Sequence, residues 1–458
     1  MIGEMSIQQL VSEFSSDITT VKTADSASFR QVCTDSRKLA QGDFFVALRG
    51  PNFDGHAFLA QAKNVGAVGA LVDSIAQDCD LPQLQVDDTV LGLGEMARVN
   101  RSRFHRPVIA ITGSSGKTSV RTMVDGILRC EGEVLATQGN LNNHIGVPLT
   151  LLNLTGDERY AVIEMGASGI GEIAYLCSLA LPDVAVVNNV MAAHLEGFGS
   201  LEGVAEAKGE IYQGVKEDGC CVVNLDDQFS AQWLNELHGR KRLTFSLHQK
   251  NADCYAENLA VQGRQQTFDL MLAGRRLPVK LQMLGEHNVR NAMAAACCAY
   301  AVGASDESII EGLAGFTSVA GRMKHLSGPC GSTIIDDAYN ANPGSVRAAI
   351  DVLALTSGTR VLVLGDMAEL GEESYLMHAE IGTYASAKNV QLLLTHGALA
   401  QTIGDHFDGP SKHFDDQQKL IEHLLTVITE SDCTVLIKGS RSARMDRVVS
   451  ALTCKEKS

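Results

Sequence analysis

Short runs of uninterrupted apolar residues, each ending in a glycine-rich or polar turn, recur along this 458-residue chain. A strand with one wet face alternates apolar and polar residues. An unbroken apolar run has no wet face, so it belongs in a parallel sheet covered on both sides. Pro107-Val-Ile-Ala-Ile111 runs into Thr112-Gly-Ser-Ser-Gly-Lys117 and then a helical stretch from Ser119 to Cys130. Tyr160-Ala-Val-Ile163 and Val184-Ala-Val-Val187 repeat the pattern. It returns in Arg360-Val-Leu-Val-Leu364, Val390-Gln-Leu-Leu-Leu-Thr395 and Thr434-Val-Leu-Ile437, which lead into Gly365-Asp366, His396-Gly397 and Lys438-Gly-Ser-Arg441. Strand, loop and helix in succession build doubly wound sheets, with ligands at the carboxyl ends of the strands. The chain is predicted to be α/β.

At roughly 150 residues per domain, the length corresponds to three domains. The first block, 1–84, is expected to be a small α/β domain closing in Asp78-Cys-Asp-Leu-Pro82. In it Asp43-Phe-Phe-Val-Ala-Leu48 reads as a buried strand, Gly50 to His56 as a loop and Ala57 to Val65 as a helix. The second, 85–319, is a central P-loop-type sheet domain carrying an appended hairpin, Thr267–Leu272 with Leu277–Leu281. The third, 320–458, is a Rossmann-like doubly wound domain.

Composition excludes several partner classes. Hydrophobic residues form 45% of the chain, enough for a core in each block. Lys and Arg number 38 against 54 Asp and Glu, a net charge of −16. That field repels nucleic-acid polymers and anionic membranes, but a local positive site can still bind a small anion. The 12 cysteines form no C-x-x-C, so they read as small buried hydrophobes kept reduced in a cytoplasm. The N-terminus lacks the basic and apolar regions of a signal peptide, and the longest apolar run, Ala292 to Ala304, is too short to span a bilayer. A cytoplasmic protein with no membrane insertion is expected.

Gly113-Ser114-Ser115-Gly116-Lys117-Thr118-Ser119, after a strand and opening a helix, is the strongest motif. Glycines let backbone N–H groups point at phosphate oxygens, and the helix N-terminus adds partial positive charge. Lys117 can offset β- and γ-phosphate charge, and the Thr118 hydroxyl can ligate Mg²⁺. ATP or GTP binding follows. Glu164, at the carboxyl end of strand Tyr160–Ile163, is placed either to hold Mg²⁺ or to cap the helix from Ile170 onward. His194 lies at the same sheet edge, where a lone histidine is more often a structural group than a ligand. Lys208, in the helical stretch Leu201 to Tyr212, reads by spacing alone as a solvated lysine.

Taken together these segments resemble the Mur ligase family of ATP-dependent amide-forming enzymes. The resemblance spans Ile111–Thr118, Gly139-Asn-Leu-Asn142-Asn143-His-Ile-Gly-Val-Pro148, Glu164-Met-Gly-Ala-Ser168, His194–Gly199, Glu206-Ala-Lys208-Gly-Glu210, Gly285-Glu-His-Asn288-Val-Arg-Asn291 and Gly321-Arg322. Asp336-Asp337-Ala-Tyr339-Asn340-Ala-Asn342-Pro343 and Leu364–Gly371 are similar to the branch that joins D-alanyl-D-alanine to a UDP-N-acetylmuramoyl (UDP-MurNAc) tripeptide. The D-N-P-R and H-H-P motifs of other branches are absent.

The resemblance implies roles. Gly113 to Ser119 would hold ATP, with Asn288 and Asn291 on the adenine side and Arg322 with Asp336 or, in the preferred register, Asp337 reaching γ-phosphate and ribose. Two Mg²⁺ ions would be held by Thr118, Glu164, His194 and a carbamylated Lys208, and Lys117, Lys208 and His194 would be catalytic. Asp35, Ser36, Arg37, Asn52, Asp54 and His56 would hold the UDP-sugar. Asn142 and Asn143 would face the tripeptide, with Tyr339, Asn340 and Asn342 also on substrate. The dipeptide would meet the loops after Leu364 and around Lys438–Arg444, and a monomer is expected. Two rivals stay open: a folylpolyglutamate synthase-like ligase and a nucleotide-gated binding module. The first block and the Tyr339–Pro343 loop argue against the former.

Overall fold

The computed structural model describes residues 1–14, 20–22 and 27–453, so the expected third block beyond 453 lies outside the described residues. A nine-stranded sheet forms the centre. Its order is Val134–Ala136, Tyr160–Glu164, Val108–Thr112, Val184–Val187, Cys220–Asn224, Arg242–Ser246, Cys254–Gln262, Gln265–Leu272 and Arg275–Leu281. The strands pair in parallel as far as Cys254–Gln262, and the last two run antiparallel.

The unbroken apolar strands are explained by where alternate side chains go. Ile109 and Ile111 enter a core with Val120, Met123 and Val124 of helix Lys117–Arg129 and with Val289 and Ala292 of helix Glu286–Ala301. Val108 and Ala110 enter the opposite core, with Ile173 and Leu176 of helix Glu172–Ala180 and with Ala207 and Ile211 of helix Leu201–Gln213. Neither face meets water, so neither set can be polar.

The third sheet has six strands, in the order Lys324–Ser327, Thr333–Asp337, Cys433–Lys438, Thr359–Gly365, Leu392–His396 and Ser411–Phe414. Only Lys324–Ser327 is antiparallel to its neighbour. The first sheet has five strands: Thr20–Lys22, Gln83–Gln85, Gly69–Val72, Phe44–Val46 and Val32–Cys33. One apolar cluster runs from the central sheet into Ile335, Val346 and Leu364 of the third region, and another into Phe44, Leu71 and Leu84 of the first. Apolar packing thus continues across both junctions.

Several elements differ from expectation. The appended hairpin is three-stranded, because Cys254–Gln262 joins it. Five of that strand's nine residues are exposed, so it carries no all-apolar signature. Thr333–Asp337 ends in two aspartates, and Lys324–Ser327 and Ser411–Phe414 are edge strands rich in polar residues, so none reads as a buried run. The strand expected from Val390 begins at Leu392. The Gly50–His56 loop contains a two-residue ladder, Arg49–Gly50 with Phe53–Asp54, and enters a 3₁₀ turn at Gly55. Strand Gln83–Gln85 crosses residue 84, and the following helix Thr89–Ser102, capped by Asp88, buries Leu93 and Met96 in the core beneath the central sheet.

Candidate active site

Strand Val108–Thr112 lies between Tyr160–Glu164 and Val184–Val187, so the chain crosses it and leaves a crevice at its carboxyl end. The glycine loop fills that crevice. Gly113 and Gly116 hold φ of 150° and 78°, the left-handed side that side chains disfavour. A Cβ on Gly116 would fall 2.6 Å from both Asn188 Nδ2 and Asn291 Oδ1. The loop is clamped from the neighbouring strand end. Asn189 Oδ1 accepts from Ser115 N at 2.9 Å, and Asn188 Nδ2 donates to Ser115 O and to Asn291 Oδ1, both at 2.9 Å. Sequence reasoning missed Asn188 and Asn189. Their position directly after an all-apolar strand, in register with the glycine loop, is the signal that marks them.

Glu164 is paired with Ile111 in the sheet, which brings its carboxylate beneath the loop. Thr118 Oγ1 donates to it at 2.8 Å, and Asn142 Nδ2 donates to its other oxygen at 2.8 Å. It caps no helix. Lys117 Nζ donates to Gly113 O at 2.6 Å, and burial lowers the ammonium's pKa, with nearby Arg322 adding and Glu164 opposing. Lys208 is 2% exposed, so the solvated reading is overturned. Burial, and then Lys117, push its pKa down to about 7, and its ammonium lies 5.7 Å from the Phe198 ring centroid. Arg322 stacks on Tyr339 at 4.2 Å. Arg121 Nε comes to 3.9 Å of the Glu164 carboxylate and Lys117 lies near it, so cations gather round one buried carboxylate inside an acidic protein.

These groups line a cavity of about 900 Å³ between the central and third sheets, with Ser114, Ser115, Gly116, Ser119, Asn142, Asn143, His194, Asn288 and Asn291 on the central side. Tyr339, Asn340 and Asn342 line it from the third region. Asn342 also caps helix Pro343–Ala354. The two aspartates separate by role. Asp336 accepts from the backbone N–H groups of Gly321 and Ala338, whereas Asp337 reaches the cavity and accepts from Lys438 Nζ at 2.6 Å. His194 pairs through Nδ1 with Glu369 of the third region, and both residues hold positive φ.

The six first-block residues line neither this cavity nor a second one beside it. Arg37 grips the Asp35 carboxylate through two nitrogens, at 2.8 and 2.9 Å, holding it at about 2. Ser36 O accepts from Gln61 Nε2, and Asn52 is exposed in a turn. Asp54 and His56 turn to each other: His56 Nε2 accepts from Asp73 N, so its Nδ1 carries the proton donated to Asp54 at 2.7 Å. Arg49 closes the cluster on Asp54 and Asp73.

Among the described residues no group of three or more His, Cys, Asp or Glu side chains converges on one point. The donors at the loop still suit a hard cation: one buried carboxylate and an adjacent hydroxyl, with room for phosphate oxygens to complete a Mg²⁺ shell.

The fold and this site define an ATP-binding ligase core, and the comparisons place it: the chain belongs to the Mur ligase family. Residues 111–299 match the Mur ligase middle domain, and 321–441 match the Mur ligase glutamate ligase domain. A curated Escherichia coli relative, named UDP-N-acetylmuramoyl-tripeptide--D-alanyl-D-alanine ligase, is 47% identical over 422 residues, covering 92% of this chain and 93% of the relative. MurF from Acinetobacter baumannii superposes with a TM-score of 0.93 at 33% identity, covering 99% of this chain and all of that one. MurF ligase from Thermotoga maritima, in complex with ADP, gives a TM-score of 0.83 at 31% identity over 92% of this chain and 96% of that one.

Proposed function

We propose that this chain joins D-alanyl-D-alanine to the terminal carboxylate of UDP-MurNAc-tripeptide at the expense of ATP, releasing ADP and phosphate in peptidoglycan precursor synthesis. The observation that carries the reading is that Lys117, Glu164, Lys208 and Arg322 line one cavity whose other wall comes from the third sheet. Relatives named for this reaction match over nearly the whole chain, which favours it over a folylpolyglutamate synthase-like ligase or a binding module.

The chemistry follows from the weakness of a carboxylate as an acylating agent. A carboxylate oxygen of the tripeptide attacks the γ-phosphorus, the bond to ADP breaks, and an acyl phosphate forms. The dipeptide amine attacks the acyl carbon, and the tetrahedral intermediate expels inorganic phosphate. Lys117 and Arg322 offset the charge that builds as two anions meet, and the loop N–H groups orient the phosphates. Glu164 and Thr118 would hold Mg²⁺, which when bound supplies further neutralisation of the phosphates. Lys208, with a pKa near 7, presents a neutral amine that can add CO₂, and the resulting carbamate would give a second Mg²⁺ its carboxylate-like ligand. His194 stands at the same edge.

Three regions divide the work in this reading: 1–84 takes the UDP-sugar through Asp35, Ser36, Arg37, Asn52, Asp54 and His56, 85–319 takes ATP, and 320–458 receives the dipeptide. Asn142, Asn143, Tyr339, Asn340 and Asn342 contact the peptide, and Asn288, Asn291, Asp336 and Asp337 serve the nucleotide. The protein works as a cytoplasmic monomer, and among the described residues no helix is long and apolar enough to cross a membrane.

ADP release with UDP-MurNAc-tripeptide present and the acceptor varied tests the reading. Stimulation by D-alanyl-D-alanine, and none by glutamate with a folate, is expected. The opposite pattern, or hydrolysis indifferent to acceptor, overturns it.

A further inference from the structure

Arg121 stands one turn after Lys117 on helix Lys117–Arg129, and its side chain is only 12% exposed. A guanidinium is rich in N–H donors, and burying donors without partners costs stability. Yet among the described residues Arg121 makes no hydrogen bond, and its Nε is buried. Asp125, one turn further along the helix, pairs instead with Arg129 at 2.9 Å.

The anion that Arg121 faces is Glu164, whose Oε2 lies 3.9 Å from Nε. That separation is too long for a hydrogen bond. Both Glu164 oxygens already accept, one from Thr118 Oγ1 and the other from Asn142 Nδ2. Arg121 is not among the residues lining the large cavity, so it stands behind the carboxylate and not against a bound ligand. Burial lowers its pKa, Glu164 and Asp125 oppose, and Arg322 adds, but a guanidinium starts so far above neutrality that it stays a cation. What Arg121 brings to Glu164 is therefore charge and not a bond.

A divalent cation held by Glu164 and Thr118 would sit against that charge. In a partly buried site, a unit charge this close changes the affinity for such an ion by about tenfold or more. The carboxylate alone is thus a poor cation site. A nucleotide reverses the balance, because its phosphates carry more negative charge than one guanidinium offsets and add oxygens to the shell.

We infer that Arg121 is a positioning residue acting through Glu164: its charge keeps the carboxylate from taking a divalent cation on its own, so that the cation enters with the nucleotide. Until then Glu164 keeps its bonds to Thr118 and Asn142. The inference rests on the assignment of Mg²⁺ to Glu164 and Thr118 above.

The test titrates Mn²⁺, a hard cation of the same charge, into the nucleotide-free full-length protein and reads the electron paramagnetic resonance signal of the free ion. Arg121→Gln is expected to bind Mn²⁺ at least about tenfold more tightly than wild type, whereas Arg121→Lys, which keeps the charge and changes the donors, stays within about twofold. With saturating ADP the three proteins should agree within about threefold, since the phosphates then dominate the site. Arg121→Met gives the same readout should the glutamine variant fold poorly by circular dichroism. Equal Mn²⁺ affinity in wild type and R121Q overturns the inference. So does weaker binding in R121Q, which would make Arg121 a support for the carboxylate. Tight binding by R121Q that persists in R121Q/E164Q overturns it through the underlying reading, by placing the cation elsewhere.

Discussion

Thr118 Oγ1 donates to Glu164 Oε2 at 2.8 Å, although 46 residues separate them. The contact exists because parallel pairing of Val108–Thr112 with Tyr160–Glu164 brings the carboxyl ends of both strands to one edge. A hydroxyl from the phosphate loop and a carboxylate from the next strand thus meet where a cation on the triphosphate would sit. Glu164→Gln keeps the shape and removes the charge. It is expected to raise the Mg²⁺ concentration needed for half-maximal activity and to lower kcat by about 10²-fold or more, read by Mg²⁺ titration of phosphate release.

Lys117→Ala removes the cation nearest the loop. Amide formation should fall by about 10²- to 10³-fold, with phosphate release falling in step in the presence of both substrates. Phosphate release at the wild-type rate would remove the loop from the reaction.

Lys208→Ala should abolish amide formation while leaving the fold intact by circular dichroism, and a short carboxylic acid such as acetate should restore part of the rate by replacing the carbamate. Because the amine has a pKa of about 7, CO₂ can add to its neutral form above that pH and progressively less below it. Wild-type activity in CO₂-depleted buffer should therefore fall and recover with bicarbonate, more completely at pH 8 than at pH 6. No recovery by either route would reduce Lys208 to a packing residue.

Gly116→Ala forces a side chain into a φ of 78° and against Asn188 and Asn291. The left-handed conformation alone costs about 1 kcal/mol. ATP affinity should drop more than about tenfold, measured by calorimetry, because the loop must shift off the position its asparagines define.

His287 lines the large cavity with its pKa pushed down to about 4, first by burial and then by Lys438 and Arg290, with Asp351 opposing. The unfolded chain binds the proton near pH 6.5 and the native state near 4, so between those values the unfolded state holds more protons and stability rises with pH. This contribution is complete above about 6.5 and is lost as pH falls toward 4. Urea unfolding of His287→Gln across that range should show a flatter pH dependence than the wild type.

Where a signal lay in consecutive residues, the sequence carried it. The loop Gly113–Ser119 and the strands flanking it are local features, dictated by backbone sterics and by the absence of a wet face, and the apolar runs of the third region announced its parallel sheet in the same way. The polar-edged strands Lys324–Ser327, Ser411–Phe414 and Cys254–Gln262 left no such trace, because half-exposed residues compose equally well as loop. Similarity of motifs named candidate site residues, but it could not say how each would be held.

That holding is a property of packing between distant segments. Whether an aspartate faces the cavity, as Asp337 does, or ties down its own loop, as Asp336 does, depends on strand direction at a single residue. Lys208 reads as a surface lysine until the helix bearing it is laid against the central sheet, and burial beside Lys117 then lowers its pKa. Asp54 and His56 meet Arg49 and Asp73, pairings that no run of consecutive residues displays. By itself the sequence determined an α/β chain with a phosphate loop, since those follow from local periodicity and glycine freedom. Only the tertiary structure decided which charges meet, because electrostatics and burial depend on separation in space and not on separation along the chain.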